Sequence, residues 1–174
     1  MLPACGAREE SRDPATESTV TRAATVIAEA PSLYGQTRAL DLDGDGRSDS
    51  VRLEAVGARL DSLRITLTMF VAGDEKFRES WNSSYELALV DSATRSGPRA
   101  AAALRGALDK VLASVVVQRL DAPGVRLMKE DSAVLAGLDP PPSRRVSFSY
   151  GYETTVRLVW DERGARFVRL FSCC

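Results

Sequence analysis

Four aspartates at regularly spaced positions form the strongest chemical signal in this sequence. Within the stretch DLDGDGRSD, residues 41–49, side-chain oxygens occupy loop positions 1, 3, 5 and 9, and a glycine occupies position 6. This is the ligand order of a calcium loop, in which the residue at position 7 binds through its backbone carbonyl. The sequence therefore predicts one structural calcium ion, with these ligands: Asp41, Asp43, Asp45, Asp49 and the carbonyl of Arg47. The alternative is a hairpin turn that is rich in Asp and Gly, the residues that sharp turns favour.

The residues that flank this loop separate it from an EF-hand. Position 12, where an EF-hand has a bidentate Glu, is Arg52, and apolar residues on both sides alternate with period two. The loop resembles the DxDGDGxxD calcium loop found between β-strands in bacterial FG-GAP and VCBS-type repeat proteins, and more loosely the first half of a dockerin loop. That resemblance implies the same four aspartate ligands and the Arg47 carbonyl. It spans Leu40 to Glu54 and occurs once, so it favours a calcium site without implying a propeller.

The composition excludes several classes of function. The chain of 174 residues contains no histidine, which removes Ser-His-Asp and Cys-His catalysis and HExxH zinc sites. It also contains no S-x-x-K motif and no G-K-[ST] phosphate loop. A net charge of −1 argues against a general affinity for nucleic acids or anionic membranes. We therefore expect a non-enzymatic binding or interaction module whose protein or glycan partner the sequence does not identify.

The first residues suggest a membrane anchor. Leu2-Pro3-Ala4-Cys5 resembles the lipobox of bacterial lipoproteins, which implies lipidation of Cys5 and a location at the cell envelope, facing the periplasm or the exterior. Only four residues precede Cys5, so this interpretation requires a signal segment upstream of Met1. Residues 7–25 are polar, as a tether should be. The alternative is an ordinary N-terminus of a cytoplasmic protein.

The other two cysteines are the adjacent Cys173 and Cys174. Adjacent cysteines can close only a strained ring, which makes an oxidised pair easy to reduce. Three interpretations remain open at this stage: two small residues ending a terminal strand, a redox pair, or thiolates that bind a soft metal.

An aromatic stretch near the C-terminus provides a second candidate site. The possible ligand surface consists of Tyr150, Tyr152, Glu153, Arg157 and Trp160. Aromatic rings beside a carboxylate could bind a sugar or a peptide, which gives the alternative function of a cell-envelope enzyme or inhibitor. Packing in the core explains the same alternation without any ligand.

Alternating and helical patterns predict the elements that position these residues. Period-two alternation predicts strands on both sides of the aspartate loop and at Leu63 to Val71. It also predicts an extended stretch after Gly73-Asp74, with aromatic and leucine residues at odd positions, which either continues to Leu89 or breaks near Asn82-Ser83. The spacing of leucines and valines predicts a helix from Arg99 to about Gln118. A shorter helix is expected at Glu130 to Gly137, and closing strands are expected at residues 145–152, 154–160 and 165–171.

These elements predict an α+β fold. We expect a mostly antiparallel sheet of about six or seven strands with one principal helix packed on one face. Residues 1–30 are expected to form the N-terminus and flexible tether, and residues 31–174 a single domain.

Overall fold

A computed structural model of the chain describes residues 32–90, 98–122 and 129–170. The strands are β1 (Ser32–Leu40), β2 (Asp49–Val56), β3 (Arg64–Val71), β4 (Asp74–Asn82), β5 (Val116–Arg119), β6 (Arg144–Tyr150), β7 (Thr154–Asp161) and β8 (Arg166–Arg169). The helices are α1 (Ser84–Leu87), α2 (Pro98–Ser114) and α3 (Lys129–Ala136), and a 3-10 turn spans Leu60–Ser62.

The fold is α+β, with two antiparallel sheets among the described residues. One has the order β1-β2-β3-β4 and the other β5-β6-β7-β8, so each sheet follows the chain without a crossover. The prediction of a single sheet of six or seven strands with one principal helix was wrong. Period-two alternation indicates strands but does not say which strands share hydrogen bonds, and the long helix α2 separates the two meanders.

The first sheet is apolar on one face and polar on the other. In β3, Ile65, Leu67 and Met69 are fully buried, whereas Arg64 is exposed. Pairing places Leu67 opposite Leu53 of β2, so the buried residues of both strands lie on one face. This confirms the alternation read from the sequence.

Helix α2 packs against the buried face of the first sheet and against β6. Leu104, Leu108 and Val111 of the helix are buried in the same apolar cluster as the core of the first sheet. Arg38 of β1 donates hydrogen bonds through Nη1 to the carbonyls of Leu112, Ala113 and Val115 at distances of 3.2, 3.1 and 2.8 Å. A cation at these terminal carbonyls stabilises the end of the helix.

The structure corrects the predicted end of α2 and decides between two alternatives for the stretch before α1. The helix predicted to reach Gln118 ends at Ser114, because Val116–Arg119 pairs with β6 as β5. Of the two alternatives for the extended stretch, the one with a break near Asn82-Ser83 is confirmed, because β4 ends at Asn82 and Ser84–Leu87 forms the short helix α1.

Aromatic contacts join the two sheets. Phe77 of β4 meets Phe148 of β6 and Phe167 of β8 edge to face, with ring centroids 6.1 and 6.4 Å apart. Trp81 stacks on Tyr150 with centroids 4.2 Å apart. Buried side chains from both sheets consequently form one apolar cluster, which holds the aspartate loop of one sheet beside the first residues of β6 in the other.

Candidate metal centre

The aspartate loop connects β1 to β2 as a tight hairpin. Leu40 and Asp49 are the last pair of the ladder, and residues 41–48 form the loop. Gly44 and Gly46 have φ values of +94° and +85°, a backbone conformation that residues with a Cβ rarely adopt. The two glycines therefore allow the chain to reverse within the loop, so that Asp41 and Asp43 before the turn lie near Asp49 after it.

Three of the four aspartates converge. One carboxylate oxygen from each of Asp41, Asp43 and Asp49 lies within 4.8 Å of the other two. Asp49 is buried and the other two are half-buried, so these oxygens gather at the base of the loop. Together they offer a set of hard oxygen ligands, the kind that Ca²⁺ and Mg²⁺ prefer.

Asp45, the fourth predicted carboxylate, lies outside this cluster and contacts its neighbour Arg47 instead. Asp45 Oδ1 accepts a hydrogen bond from the Arg47 N–H at 2.7 Å, and its Oδ2 lies 3.8 Å from Arg47 Nε. Both residues are exposed. For Asp45 to become a ligand, its side chain would have to turn towards the other three carboxylates.

Backbone amides hold the two half-buried carboxylates of the cluster in place. The Gly44 N–H donates to Asp41 Oδ1 at 2.8 Å, and the Asp45 N–H donates to Asp43 Oδ1 at 3.0 Å. Such Asx turns are what aspartates form in sharp loops. They also fix both side chains near a common point, which reduces the entropy lost on binding a cation.

Asp49 anchors the loop to the rest of the first sheet. Its Oδ2 accepts from the Leu42 N–H at 3.0 Å, and its Oδ1 accepts from the Ala72 N–H at 3.1 Å in the turn between β3 and β4. Leu42 is fully buried. The residue predicted only as the closing ligand thus also connects two turns of the sheet.

A contact between Arg144 and the aspartate loop was not predicted from the sequence. Its Nη1 donates to Asp41 Oδ2 at 2.7 Å, across a sequence separation of 103 residues. The side chain lies against Gly44, where an added Cβ would meet Arg144 Nε at 2.9 Å. A guanidinium from the second sheet therefore neutralises part of the charge of the loop, and nothing in the local sequence indicates this pairing.

Burial and the negative charge of the loop both affect Asp43. Burial raises the pKa of Asp43 above its ordinary value, and the neighbouring carboxylates of Asp49, Asp45 and Asp41 raise it further, although the hydrogen bond from the Asp45 N–H opposes them. Charge repulsion within the loop is a direct reason for a cation to bind there.

The aromatic residues of the possible ligand surface near the C-terminus lie in different surroundings. Tyr150 is half-buried, stacks on Trp81 and donates its hydroxyl to Glu79 Oε1 at 3.0 Å. Burial and the Glu79 carboxylate raise the pKa of Tyr150 to about 12. Trp160 packs edge to face on Phe167, with centroids 5.1 Å apart. Both rings belong to the packing between strands.

The polar members of that surface also lie apart. Arg157 contacts the fully buried Asp131 of α3, with Nη1 and Oδ2 3.4 Å apart. Tyr152 and Glu153 are exposed in the turn between β6 and β7. Of the five predicted residues, these two alone present exposed side chains to a ligand.

The lipidation and thiol predictions concern Cys5, Cys173 and Cys174, which lie outside the described residues. None of the helices described is long and apolar enough to cross a membrane. Comparisons with models of protein families, with curated proteins and with solved structures found no match to this chain.

Proposed function

We propose that this chain is a calcium-braced, non-enzymatic binding module that a lipid on Cys5 anchors at the cell envelope. The observation that carries the calcium assignment is the convergence of carboxylate oxygens from Asp41, Asp43 and Asp49 within 4.8 Å. The anchor rests on the resemblance of residues 2–5 to a lipobox, and the absence of catalysis rests on the composition.

The spacing of the oxygens fits calcium. Ca²⁺ binds oxygen at about 2.3–2.6 Å, so two oxygens on opposite sides of one ion are up to about 5 Å apart. For Mg²⁺, with bonds of about 2.0–2.1 Å, the same separation is at most about 4.2 Å. Oxygens that all lie within 4.8 Å of one another are compatible with a shared calcium ion, and the choice of calcium over magnesium rests on the calcium-loop order of the ligands.

The ligand set is completed by residues already in the loop. Asp45 and Arg47 are exposed in the same loop, so that rotation of the Asp45 side chain could add a fourth carboxylate and the Arg47 carbonyl is the fifth ligand that the loop order implies. Water supplies the remaining positions, since Ca²⁺ takes six to eight oxygens. A site with this many exposed ligands suits the millimolar calcium outside the cytoplasm.

The ion would act as a brace rather than as a catalyst. Asp49 connects the loop to the β3–β4 turn, and Asp41 connects it to Arg144 of the second sheet. A cation that fixes these carboxylates would therefore stabilise the β1–β2 loop against the β3–β4 turn of the first sheet, while it competes with Arg144 for Asp41.

Calorimetric titration of the full chain with calcium tests the metal site. The wild type should bind one ion saturably, and Asp43→Ala combined with Asp45→Ala should abolish the heat of binding. Asp61→Ala is the matched control, because Asp61 is exposed and paired with Arg59 far from the cluster. Absence of binding in the wild type, or equal binding in the double variant, would refute the site.

Mass spectrometry of the protein isolated from its native cells tests the anchor. The mature chain should begin at Cys5 and carry diacylglycerol on its sulfur. An unmodified chain that retains Met1 to Ala4 would refute lipidation and leave the metal site unaffected.

A further inference from the structure

A cavity of about 520 Å³ lies between α1, α2 and β6, on the opposite side of α2 from the residues that contact Arg38. Its walls are mainly apolar and include Leu89, Val90 and Val111. Small residues of α2, among them Ala103 and Gly106, keep it open. A cavity of this size and character is typical of a site for a small ligand.

A buried carboxylate forms part of its wall. Glu86 lines the cavity although the residue is only 2% exposed. Its Oε1 accepts hydrogen bonds from Trp81 Nε1–H at 3.1 Å and from the Gly151 N–H at 2.8 Å. Within the part of the chain that the structure describes, no hydrogen bond reaches its Oε2.

A carboxylate that has lost most of its solvent is unfavourable unless hydrogen bonds or a positive charge compensate for the loss. Burial raises the pKa of Glu86, because the charged form has lost solvent, and the two N–H donors offset this only in part. A ligand that brings a positively charged donor into the cavity would compensate for the lost solvation.

Exposed apolar side chains surround the same cavity. Tyr85, Leu89 and Tyr152 are 56%, 49% and 79% exposed. Leu89 lines the cavity, Tyr85 packs over Gly151, and Tyr152 follows Gly151 in the chain. Such a concentration of exposed apolar surface is typical of a binding site.

We propose that this cavity binds a small primary amine with an apolar body, whose ammonium group donates to Glu86 Oε2 while its hydrocarbon part contacts α2 and Leu89. Lys110 also lines the cavity, but it is exposed and its charge is solvated, so it opposes an amine far less than Glu86 attracts one. The proposal is independent of the calcium loop.

Hexylamine is a suitable probe, with hexanol and hexanoate as matched compounds that lack the positive charge. Two-dimensional NMR of the full chain offers internal reporters, since the Gly151 amide and the Trp81 indole N–H both donate to Glu86. We expect hexylamine to shift these two signals saturably and to leave the indole signal of Trp160 in place, because Trp160 packs on Phe167 outside the cavity.

Two variants separate charge recognition from the simple presence of a cavity. Glu86→Gln keeps the acceptor for both N–H donors and removes the charge, so hexylamine affinity should fall at least about tenfold. Glu162→Gln, at an exposed position in the β7–β8 turn, is the control and should bind as the wild type does. Gly106→Leu should abolish binding, because an added Cβ there meets no atom within 4 Å and the side chain can extend into the cavity.

The proposal is overturned if hexylamine causes no saturable shift up to its solubility limit. It is equally overturned if hexanol or hexanoate binds as tightly as hexylamine, or if either Glu86→Gln or Gly106→Leu retains wild-type affinity.

Discussion

Replacing Arg144 by glutamine is expected to lower the stability of the calcium-free protein and to raise its affinity for calcium. The two effects share one cause, since Arg144 Nη1 occupies Asp41 Oδ2 at 2.7 Å. In the absence of calcium this contact neutralises a carboxylate within a crowded acidic loop. In the presence of calcium the same guanidinium competes with the ion for Asp41.

The magnitude follows from the burial of the pair. The Arg144 and Asp41 side chains are 31% and 29% exposed, so the burial of this ion pair is intermediate. Exposed ion pairs contribute about 0.2–1 kcal/mol to stability, whereas breaking a fully buried pair costs about 3–5 kcal/mol. We therefore expect a loss of about 1–2 kcal/mol in the free energy of unfolding. For a domain of this size, this corresponds to a decrease in Tm of about 3–8 °C.

The calcium affinity of Arg144→Gln should be higher than that of the wild type. Removing the guanidinium frees an oxygen of Asp41 and removes a positive charge beside the ion. A gain of up to about tenfold is expected, equivalent to about 1.4 kcal/mol. Consequently calcium should raise the Tm of Arg144→Gln more than that of the wild type at equal concentration.

Thermal unfolding followed by circular dichroism, in chelator and in calcium, together with calorimetric titration, measures both effects. Arg119→Gln is the matched control, because its pair with Asp121 is 72% and 70% exposed and should contribute little. The reasoning fails if Arg144→Gln binds calcium with unchanged or lower affinity, or if its Tm in chelator equals that of the wild type.

Three further predictions concern single positions. Gly44→Ala should lower the free energy of unfolding in urea by about 1–2 kcal/mol, because φ is +94° and the new Cβ would lie 2.9 Å from Arg144 Nε. Gly35→Ala is the control and should leave the free energy of unfolding unchanged, because a Cβ there meets nothing within 4 Å. Equal losses in the two variants would contradict the proposed strain at Gly44. Glu86 has a raised pKa in the folded state, so its contribution to stability decreases as pH rises from the unfolded value near 4.5 through the folded value. Glu86→Gln should therefore raise the free energy of unfolding at neutral pH but not at acidic pH. An equal increase at both pH values would refute a raised pKa for Glu86. Phe148→Ala should cost about 3–5 kcal/mol, because the ring is 1% exposed and contacts Phe77, and a loss below 1 kcal/mol would contradict its place in the core.

The sequence was most informative where one sheet face is buried and the other is solvated. Alternation identified β3 from Leu63 onward, and the structure buries Ile65 and Leu67 while exposing Arg64. In such strands a shift by one residue would bury the charged side chains, so the pattern determines the orientation of the strand.

Prediction was weaker where a side chain supplies hydrogen bonds to the backbone. The extended stretch ends at Asn82 because the buried Ser83 donates its hydroxyl to the Leu60 carbonyl at 2.6 Å and accepts from the Leu63 N–H at 3.0 Å. These bonds fix the chain beside the start of β3, and α1 begins at the next residue. A serine in an alternating pattern gives no indication that its partners lie about 20 residues away.

The candidate metal site likewise combines local features, which the sequence indicates, with non-local contacts, which it does not. The spacing of Asp41, Asp43 and Asp49 is local, and their convergence follows from the geometry of one hairpin. The contacts of Asp49 with Ala72 and of Asp41 with Arg144 are not local, because they depend on how β3 joins β4 and on how the second sheet packs. A sequence motif can therefore indicate that a loop needs positive charge, whereas only the fold shows that an arginine already supplies part of it. For this reason the calcium dependence of stability, rather than binding alone, distinguishes a loop that requires the ion from one in which the ion replaces a guanidinium.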